Sequence, residues 1–373
     1  MILLIKEHEP IANMTASGNK PWRTQKMFLD LTREGVDCRL FMSSFDHWTK
    51  TQTSRHQLTA EFSQAELLHA PGYPRNNSIL RLVSGVVFAF RFLLAGLTGP
   101  RPSQIVVACP GLLIIMVALL LKLRYGCKVC IDLRDNWPST LSGFFPAKLR
   151  PAVKAGFTWW LAILLRLADD IVVPSENLRE FAMRLVDKPI IKIPFLLDRD
   201  RVADMAPRDD GGDMMFLGSL NSFFDYDVFE QAASYCAANE IVFHILGDGD
   251  FLEDVRGRFA GSDHVHIHGR VSYDEAIAIS HQCRIGLYPY RRNMGFDNHE
   301  TNKLTDYLVM GLVVYSSVPL PIDAAYFRTF PSLPDDSAAA FPSKQDIREY
   351  GMSLFVGSYL DRFIASGLYA ASP

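Results

Sequence analysis

Twice along its length the chain runs through the same rhythm of short apolar runs and stretches of helical period. In the first series residues 2–6, 37–42, 104–108, 128–133, 170–173 and 190–194 read as strands, with helices over 22–34, 112–124 and from 176 onward. In the second, 214–217, 241–246, 265–268, 285–288 and 312–315 read as strands, and helices fill 226–239, the stretches opening at 251 and 273, and 301–311. Neighbouring parallel strands need a long crossover, usually a helix, so this alternation predicts doubly wound parallel sheets. Between the series, residues 198–213 turn polar around Pro207, Asp209, Asp210, Gly211 and Gly212, which marks a linker. The expected class is α/β, with two Rossmann-like doubly wound parallel-sheet domains over 1–198 and 199–345 and a helical tail over 346–373.

A chain of 373 residues can build two such cores, and 49% hydrophobic with 21% charged residues describes a globular protein. A formal charge of −3 lacks the basic excess that general nucleic-acid binding needs, so no nucleic-acid partner is expected. Six cysteines make no disulfide framework here, and Cys127 and Cys130 sit i and i+3 on one strand, pointing to opposite faces. No metal is expected, and a reducing cytoplasm suits the composition. The first apolar run is too short for a signal peptide. Residues 111–121 are too few to span a bilayer, 79–97 carry Arg81 and Arg91, and 157–167 are broken by Arg166, so no transmembrane helix is expected.

The chemistry concentrates in residues 288–317. A strand ends at Tyr288, a cationic loop carries Arg291 and Arg292, and a helix opens near Thr301 with Lys303 in its first turn and Asp306 one turn on. Free amide groups and the helix dipole favour an anion there, and an acidic residue on that helix can accept from a ribose diol. Gly218 ends the first strand of the second series, where a bare backbone lets amides approach a diphosphate, and Gly247 ends the second in Leu246-Gly247-Asp248-Gly249. In the first half Asp132-Leu133-Arg134-Asp135 closes a strand, and polar groups at the carboxyl end of a parallel strand face the ligand side. His264, His266 and His268 share one strand face, but no carboxylate is timed to complete a metal site. Arg75, Arg81, Arg91 and Arg101 alternate with Phe and Leu, and Lys148, Arg150 and Lys154 precede Trp159 and Trp160. Cations beside aromatic side chains predict peripheral contact with an anionic membrane.

These motifs carry a family resemblance over nearly the whole chain. Pro289-Tyr290-Arg291-Arg292-Asn293, then Asn302-Lys303-Leu304-Thr305-Asp306-Tyr307 and Gly311, resemble the donor segment of GT-B glycosyltransferases of the family 4-like class. Asn302 stands where Pro or Ser is usual, Asp306 where Glu is, and Asn298 where the first Glu of the family's acidic pair falls. Gly218-Ser219-Leu220 resembles the family's loop at the donor diphosphate, and the run around Gly18 its first βα loop. Arg134-Asp135-Asn136-Trp137-Pro138 and Ser43-Ser44-Phe45-Asp46-His47 resemble motifs of the amino-sugar and deoxy-sugar transferases. The resemblance implies two domains facing a cleft, a tail returning to the first, and a retaining transfer from a nucleotide-sugar to a glycan or lipid-linked acceptor in polysaccharide or glycolipid biosynthesis. It further implies no cofactor, with Lys303 and Arg291 on the diphosphate, Asp306 on the ribose, Asp135 in the sugar site and His47 toward the acceptor. Two other readings stay open: a GT-B epimerase or hydrolase of a UDP-sugar, and a non-catalytic protein of this fold that binds glycan or a partner. Asn298, and the uncharged Asn221-Ser222-Phe223-Phe224 after Gly218, keep the last one alive.

Overall fold

The computed structural model describes the chain apart from residues 8, 10–20, 48, 75–77, 110, 143–144, 198, 207–210, 293–296, 330–341 and 370–373. Gly18 therefore lies outside the described residues. The chain forms two units, one of Met1–Pro174, Leu178–Ile193 and Ser358–Pro373, the other of Ser175–Asn177 and Pro194–Gly357.

Unit 1 is built on strands β1 (Ile2–Lys6), β2 (Cys38–Ser43), β3 (Glu66–Leu68), β4 (Gln104–Cys109), β5 (Lys128–Leu133), β6 (Asp170–Val173) and β7 (Ile190–Lys192). They pair in the order β3-β2-β1-β4-β5-β6-β7, all parallel. Helix α1 (Arg23–Arg33) links β1 to β2, α2 (Ile79–Thr98) links β3 to β4, and α3 (Leu112–Tyr125) links β4 to β5. Helices α4 (Trp137–Ser142) and α5 (Arg150–Leu167) carry the chain from β5 to β6, and α6 (Glu176–Met183) precedes β7. The central strands β1, β4 and β5 are buried almost throughout, as an apolar run covered on both faces requires. Strand order reverses between β1 and β4, and ligands of such sheets bind beyond the strand ends at that point.

In unit 2, helix α7 (Arg199–Asp204) precedes strand β8 (Asp213–Leu217). Then follow α8 (Tyr226–Ala238), β9 (Phe243–Leu246), α9 (Leu252–Arg258), β10 (Val265–Gly269), α10 (Tyr273–Ser280) and β11 (Cys283–Tyr288). Helix α11 (Asn302–Val309), β12 (Val313–Ser316), β13 (Phe327–Thr329) and α12 (Lys344–Phe355) complete the unit. Its sheet runs β10-β9-β8-β11-β12-β13, again parallel, with the reversal between β8 and β11. Phe216, Phe224, Phe229 and Phe243 pack with ring centroids 4.9–5.9 Å apart along the chain of contacts, filling the core beside β8. Helix α10 starts at Ser272, whose hydroxyl accepts from the Glu275 amide while Glu275 accepts from the Ser272 amide.

Four features depart from the reading of the sequence. The polar linker contains α7, anchored by buried Val202 and Met205, because two apolar residues three apart suffice to seat one helical face. The tail is two helices, α12 and then α13 (Tyr359–Ala365), broken at Gly357 with φ +153°; α12 belongs to unit 2 and α13 to unit 1. Strand β10, read as buried, is the sheet edge, so Val265 and Gly269 are covered while His266 and His268 are exposed. Helix α2, set aside as a span because of Arg81 and Arg91, is long and apolar enough to cross a membrane, yet Phe88 and Phe92 are fully buried in the core of unit 1.

Candidate functional site

The reversal point of unit 2 collects the residues of the 288–317 stretch. Beyond β8 the backbone turns at Gly218 with φ +142°, and beyond β9 at Gly247 with φ +145°. A side chain at 247 would fall 2.0 Å from the Gly218 carbonyl oxygen, so the two turns can lie this close only as glycines. The Gly218 amide donates to Leu246, which ties the turn to the neighbouring strand.

Lys303 stands in the first turn of α11, and its side chain runs across Gly218: a β-carbon there would meet Cε at 2.3 Å and Nζ at 2.6 Å. Its ammonium faces the rings of Phe224 at 4.6 Å, Phe216 at 5.4 Å and Tyr290 at 5.5 Å, and donates weakly to the Tyr290 hydroxyl at 3.5 Å. No carboxylate pairs with it among the described residues. Burial lowers its pKa to about 8, with the charge of Asp306 opposing the shift. A cation desolvated against aromatic faces and left without a counter-ion is costly unless an anion arrives.

The rest of the predicted set is placed around it. Asp306 is only 3% exposed, and its carboxylate accepts from the Tyr273 hydroxyl at 2.7 Å, a partner the local sequence gave no sign of. Asn302 opens α11, half-buried, and Leu304 is fully buried in the core. Arg291 is exposed at its head, while its Nε donates to the Phe224 carbonyl and its amide to that of Phe223. With the bridge between Phe224 and Tyr290, this zips the loop after β8 to the loop after β11. Arg292 donates to the Ser317 carbonyl at 2.9 Å. Ser219 is exposed beside Gly218. Asn298 takes a left-handed backbone, φ +56°, with its amide on the Pro319 carbonyl. Tyr307 holds the strand ends together: the Leu217 amide donates to its hydroxyl, which donates to the Leu287 carbonyl. Away from this point, His244 pairs with His268 at 3.0 Å and Asp213 at 3.2 Å.

Unit 1 gathers charge at its own reversal point. Arg134 is buried, with its guanidinium donating to Asp132 at 2.7 Å, to Thr24 at 2.7 Å and to Glu9. Arg23 reaches the same Asp132 at 3.0 Å and the Ile193 carbonyl at 2.7 Å. Burial would raise the Asp132 and Glu9 carboxyls, but Arg134, with Arg23 for Asp132 and Lys6 for Glu9, holds both below the usual range. Asp135 reaches solvent at the surface, yet crowding on its other sides raises its pKa against Lys6 and Arg134, as in a recess. Glu7, just past β1, is pushed up to about 7 by burial, opposed by Arg81. His47 bonds Tyr73 through Nδ1 at 2.5 Å, and burial lowers its pKa to about 4, with Lys50 and Arg81 adding to the shift. The structure thus brings together Arg134 and Asp135 with Lys6, Glu9 and Arg23, which sequence reading missed. The signal that marks Lys6, Glu7 and Glu9 is their place just beyond an apolar β1.

No protein-family model matches the chain, and no curated protein matches it. Solved structures do. Sucrose-phosphate synthase from Thermosynechococcus elongatus superposes with a TM-score of 0.65 at 14% identity, covering 98% of this chain and 97% of that one. HepE from Anabaena, solved with UDP and glucose, gives 0.64 at 10% identity and 99% coverage of both. The catalytic domain of starch synthase IV from Arabidopsis thaliana, bound to ADP and acarbose, gives 0.56 at 11%, covering 88% and 87%. The fold is therefore GT-B, and its structural neighbours are glycosyltransferases.

Proposed function

We propose that the protein is a family 4-like retaining glycosyltransferase, moving a sugar from a nucleotide-sugar to a glycan or lipid-linked acceptor. The observation that carries this is the Lys303 ammonium, half-buried against aromatic rings, with no ion-pair partner among the described residues and laid across the glycine turn at the reversal point of unit 2. Such a cation at a helix start fits a diphosphate, and it offsets the charge that develops on the leaving group. HepE was solved with UDP-glucose, which supports the donor class without fixing the base for this chain.

Within this reading Lys303 and the first amides of α11 hold the diphosphate, with Arg291 at the rim. Asp306, positioned by Tyr273, accepts from the ribose, and no metal is required for the step. Asp135, whose pKa is raised by desolvation against the charges of Lys6 and Arg134, meets a sugar hydroxyl in unit 1. We place the activity in surface polysaccharide or glycolipid synthesis, near the amino-sugar and deoxy-sugar transferases, in the cytoplasm at the inner face of its membrane.

Calorimetric titration with UDP, GDP and TDP tests the donor site. One nucleotide binding in the micromolar range, weakened at least about ten-fold by Lys303→Ala, is the expected result; a tenfold loss corresponds to about 1.4 kcal/mol. If no nucleotide binds, the transferase reading fails and a non-catalytic binding protein takes its place.

A further inference from the structure

Helices α2, α3 and α5 each step one way along the sheet of unit 1, from β3 to β4 to β5 to β6. Right-handed crossovers therefore set all three on one face of the sheet, as a continuous layer whose outer side looks away from it. Helices α2 and α3 touch closely, since a β-carbon at Gly96 would meet Leu121 at 2.5 Å.

That outer side is apolar. On α2, Leu82, Val83, Val86, Phe90 and Leu94 form an exposed stripe opposite the buried Phe88 and Phe92. On α3, Leu113, Met116, Leu120 and Leu123 form a second stripe, with Leu123 83% exposed. Trp159 on α5 is 68% exposed. Scattered apolar residues on a surface are ordinary, but two adjacent stripes on neighbouring helices make an interaction face.

Its charge is one-sided. No Asp or Glu occurs between Glu66 and Asp132, or between Asp135 and Asp169, while Arg81, Arg91, Arg124, Lys154 and Arg166 fall in those stretches. Beside Trp159 an open groove of about 610 Å³ runs between α5 and the end of α6, lined by Lys154, Arg166 and Arg184 and by no acidic residue. None of these three cations makes an ion pair among the described residues; Arg166 donates only to the Leu185 carbonyl, at 3.4 Å.

We infer that this layer of unit 1 is the face by which the protein lies on an anionic phospholipid bilayer. The α2 and α3 stripes enter the boundary between headgroups and acyl chains, Trp159 sits at headgroup depth, and Lys154, Arg166 and Arg184 take lipid phosphates in the groove. A second copy of the chain fits less well, because a symmetric contact would set the groove's cations against each other and the groove lining holds no acid, the exposed Glu180 and Asp187 lying outside it. A crossing helix also fits poorly: Phe88 and Phe92 hold α2 flat on the sheet. The inference concerns unit 1 alone and does not rest on the proposed reaction.

Flotation of the full chain with phosphatidylcholine vesicles, with and without phosphatidylglycerol, tests it. Binding is expected only to the anionic vesicles. Lys154→Gln, Arg166→Gln and Arg184→Gln together should lower it about 100-fold, or about five-fold per cation. Phe90→Ser with Leu120→Ser should remove the part that survives high salt, while Arg256→Gln in α9 changes nothing. All of these side chains are exposed, and unaltered thermal unfolding with unaltered nucleotide titration shows that each variant is folded. Equal binding to neutral and anionic vesicles overturns the inference, as does an unaffected triple variant. So does a chain that fails to float but sediments as a dimer dissociated by Phe90→Glu, which gives the face to a second copy.

Discussion

The side chain of Lys303 fills the space that a β-carbon on residue 218 would need. Gly218 is therefore half of the cation's binding geometry: its bareness lets the ammonium lie between the turn and the Phe224 ring. Two residues 85 apart in sequence act as one device.

Gly218→Ala should displace the ammonium and force alanine to φ +142°. A non-glycine residue held there costs about 1–3 kcal/mol. Thermal unfolding should fall accordingly, and nucleotide affinity should drop as far as in Lys303→Ala. Full affinity in Gly218→Ala would show that the ammonium is not the anion's partner.

Lys303 titrates at about 8, so its charge is lost as pH rises through that value. Nucleotide affinity should weaken from pH 7 to 9, and Lys303→Arg should bind without that slope. The free protein should behave in the opposite sense. The folded pKa lies below the ordinary value near 10.4, so the unfolded chain binds the extra proton between about 8 and 10.4, and the Lys303 contribution to stability rises with pH there. Denaturant midpoints of wild type and Lys303→Met across that window test the sign.

Tyr307→Phe should destabilise unit 2 by about 1–3 kcal/mol, the cost of a buried donor left without its acceptor. The donor is the Leu217 amide, and the Leu287 carbonyl loses its partner too. Gly286→Ala attacks the same contact from below, since its β-carbon would meet the Tyr307 ring at 2.5 Å. Both variants should unfold earlier; an unchanged midpoint for Tyr307→Phe would mean that water replaces the hydroxyl.

Arg134→Ala should cost about 3–5 kcal/mol, because it takes the guanidinium from buried Glu9, which keeps only its Thr24 bonds and the nearby charge of Lys6, and leaves buried Asp132 to Arg23 alone. Both carboxyls are depressed in the folded state, so their contribution is present above the usual carboxylate pKa near 4 and lost as pH falls below it. The gap between wild type and Arg134→Ala in thermal unfolding should therefore narrow in acid. A constant gap from pH 7 to 3 would mean that packing, and not charge, is what Arg134 supplies.

The alternation of apolar runs with helical stretches made both sheets legible, since a parallel strand covered on two faces must be apolar from end to end. Gly218 and Lys303 were legible as chemistry, because a bare turn and a cation at a helix start are local patterns. Asp306 was legible by position but not by surroundings: Tyr273 reaches it from another helix. The unit 1 network was hidden for the same reason, with Arg23 and Asp132 lying 109 residues apart. Strands β3 and β13, three residues each, are too short to show any period. The exposure of His266 and His268 followed from edge position, which composition does not reveal.

Residues 358–373 belong to unit 1, although the whole of 194–357 intervenes. Tyr359 gives its amide to Asp30 at 2.7 Å and its hydroxyl takes a bond from Arg23, while the Leu368 carbonyl accepts from Gln104. During translation the sheet of unit 1 emerges before unit 2, but the pieces that pack on α1 emerge after it. Until Tyr359 has left the ribosome, Arg23 and Asp30 lack the bonds it gives them, and Gln104 waits further for the Leu368 carbonyl. Unit 2 can mature during synthesis, whereas a nascent chain stalled before Ser358 leaves unit 1 without the Tyr359 and Leu368 bonds that complete it.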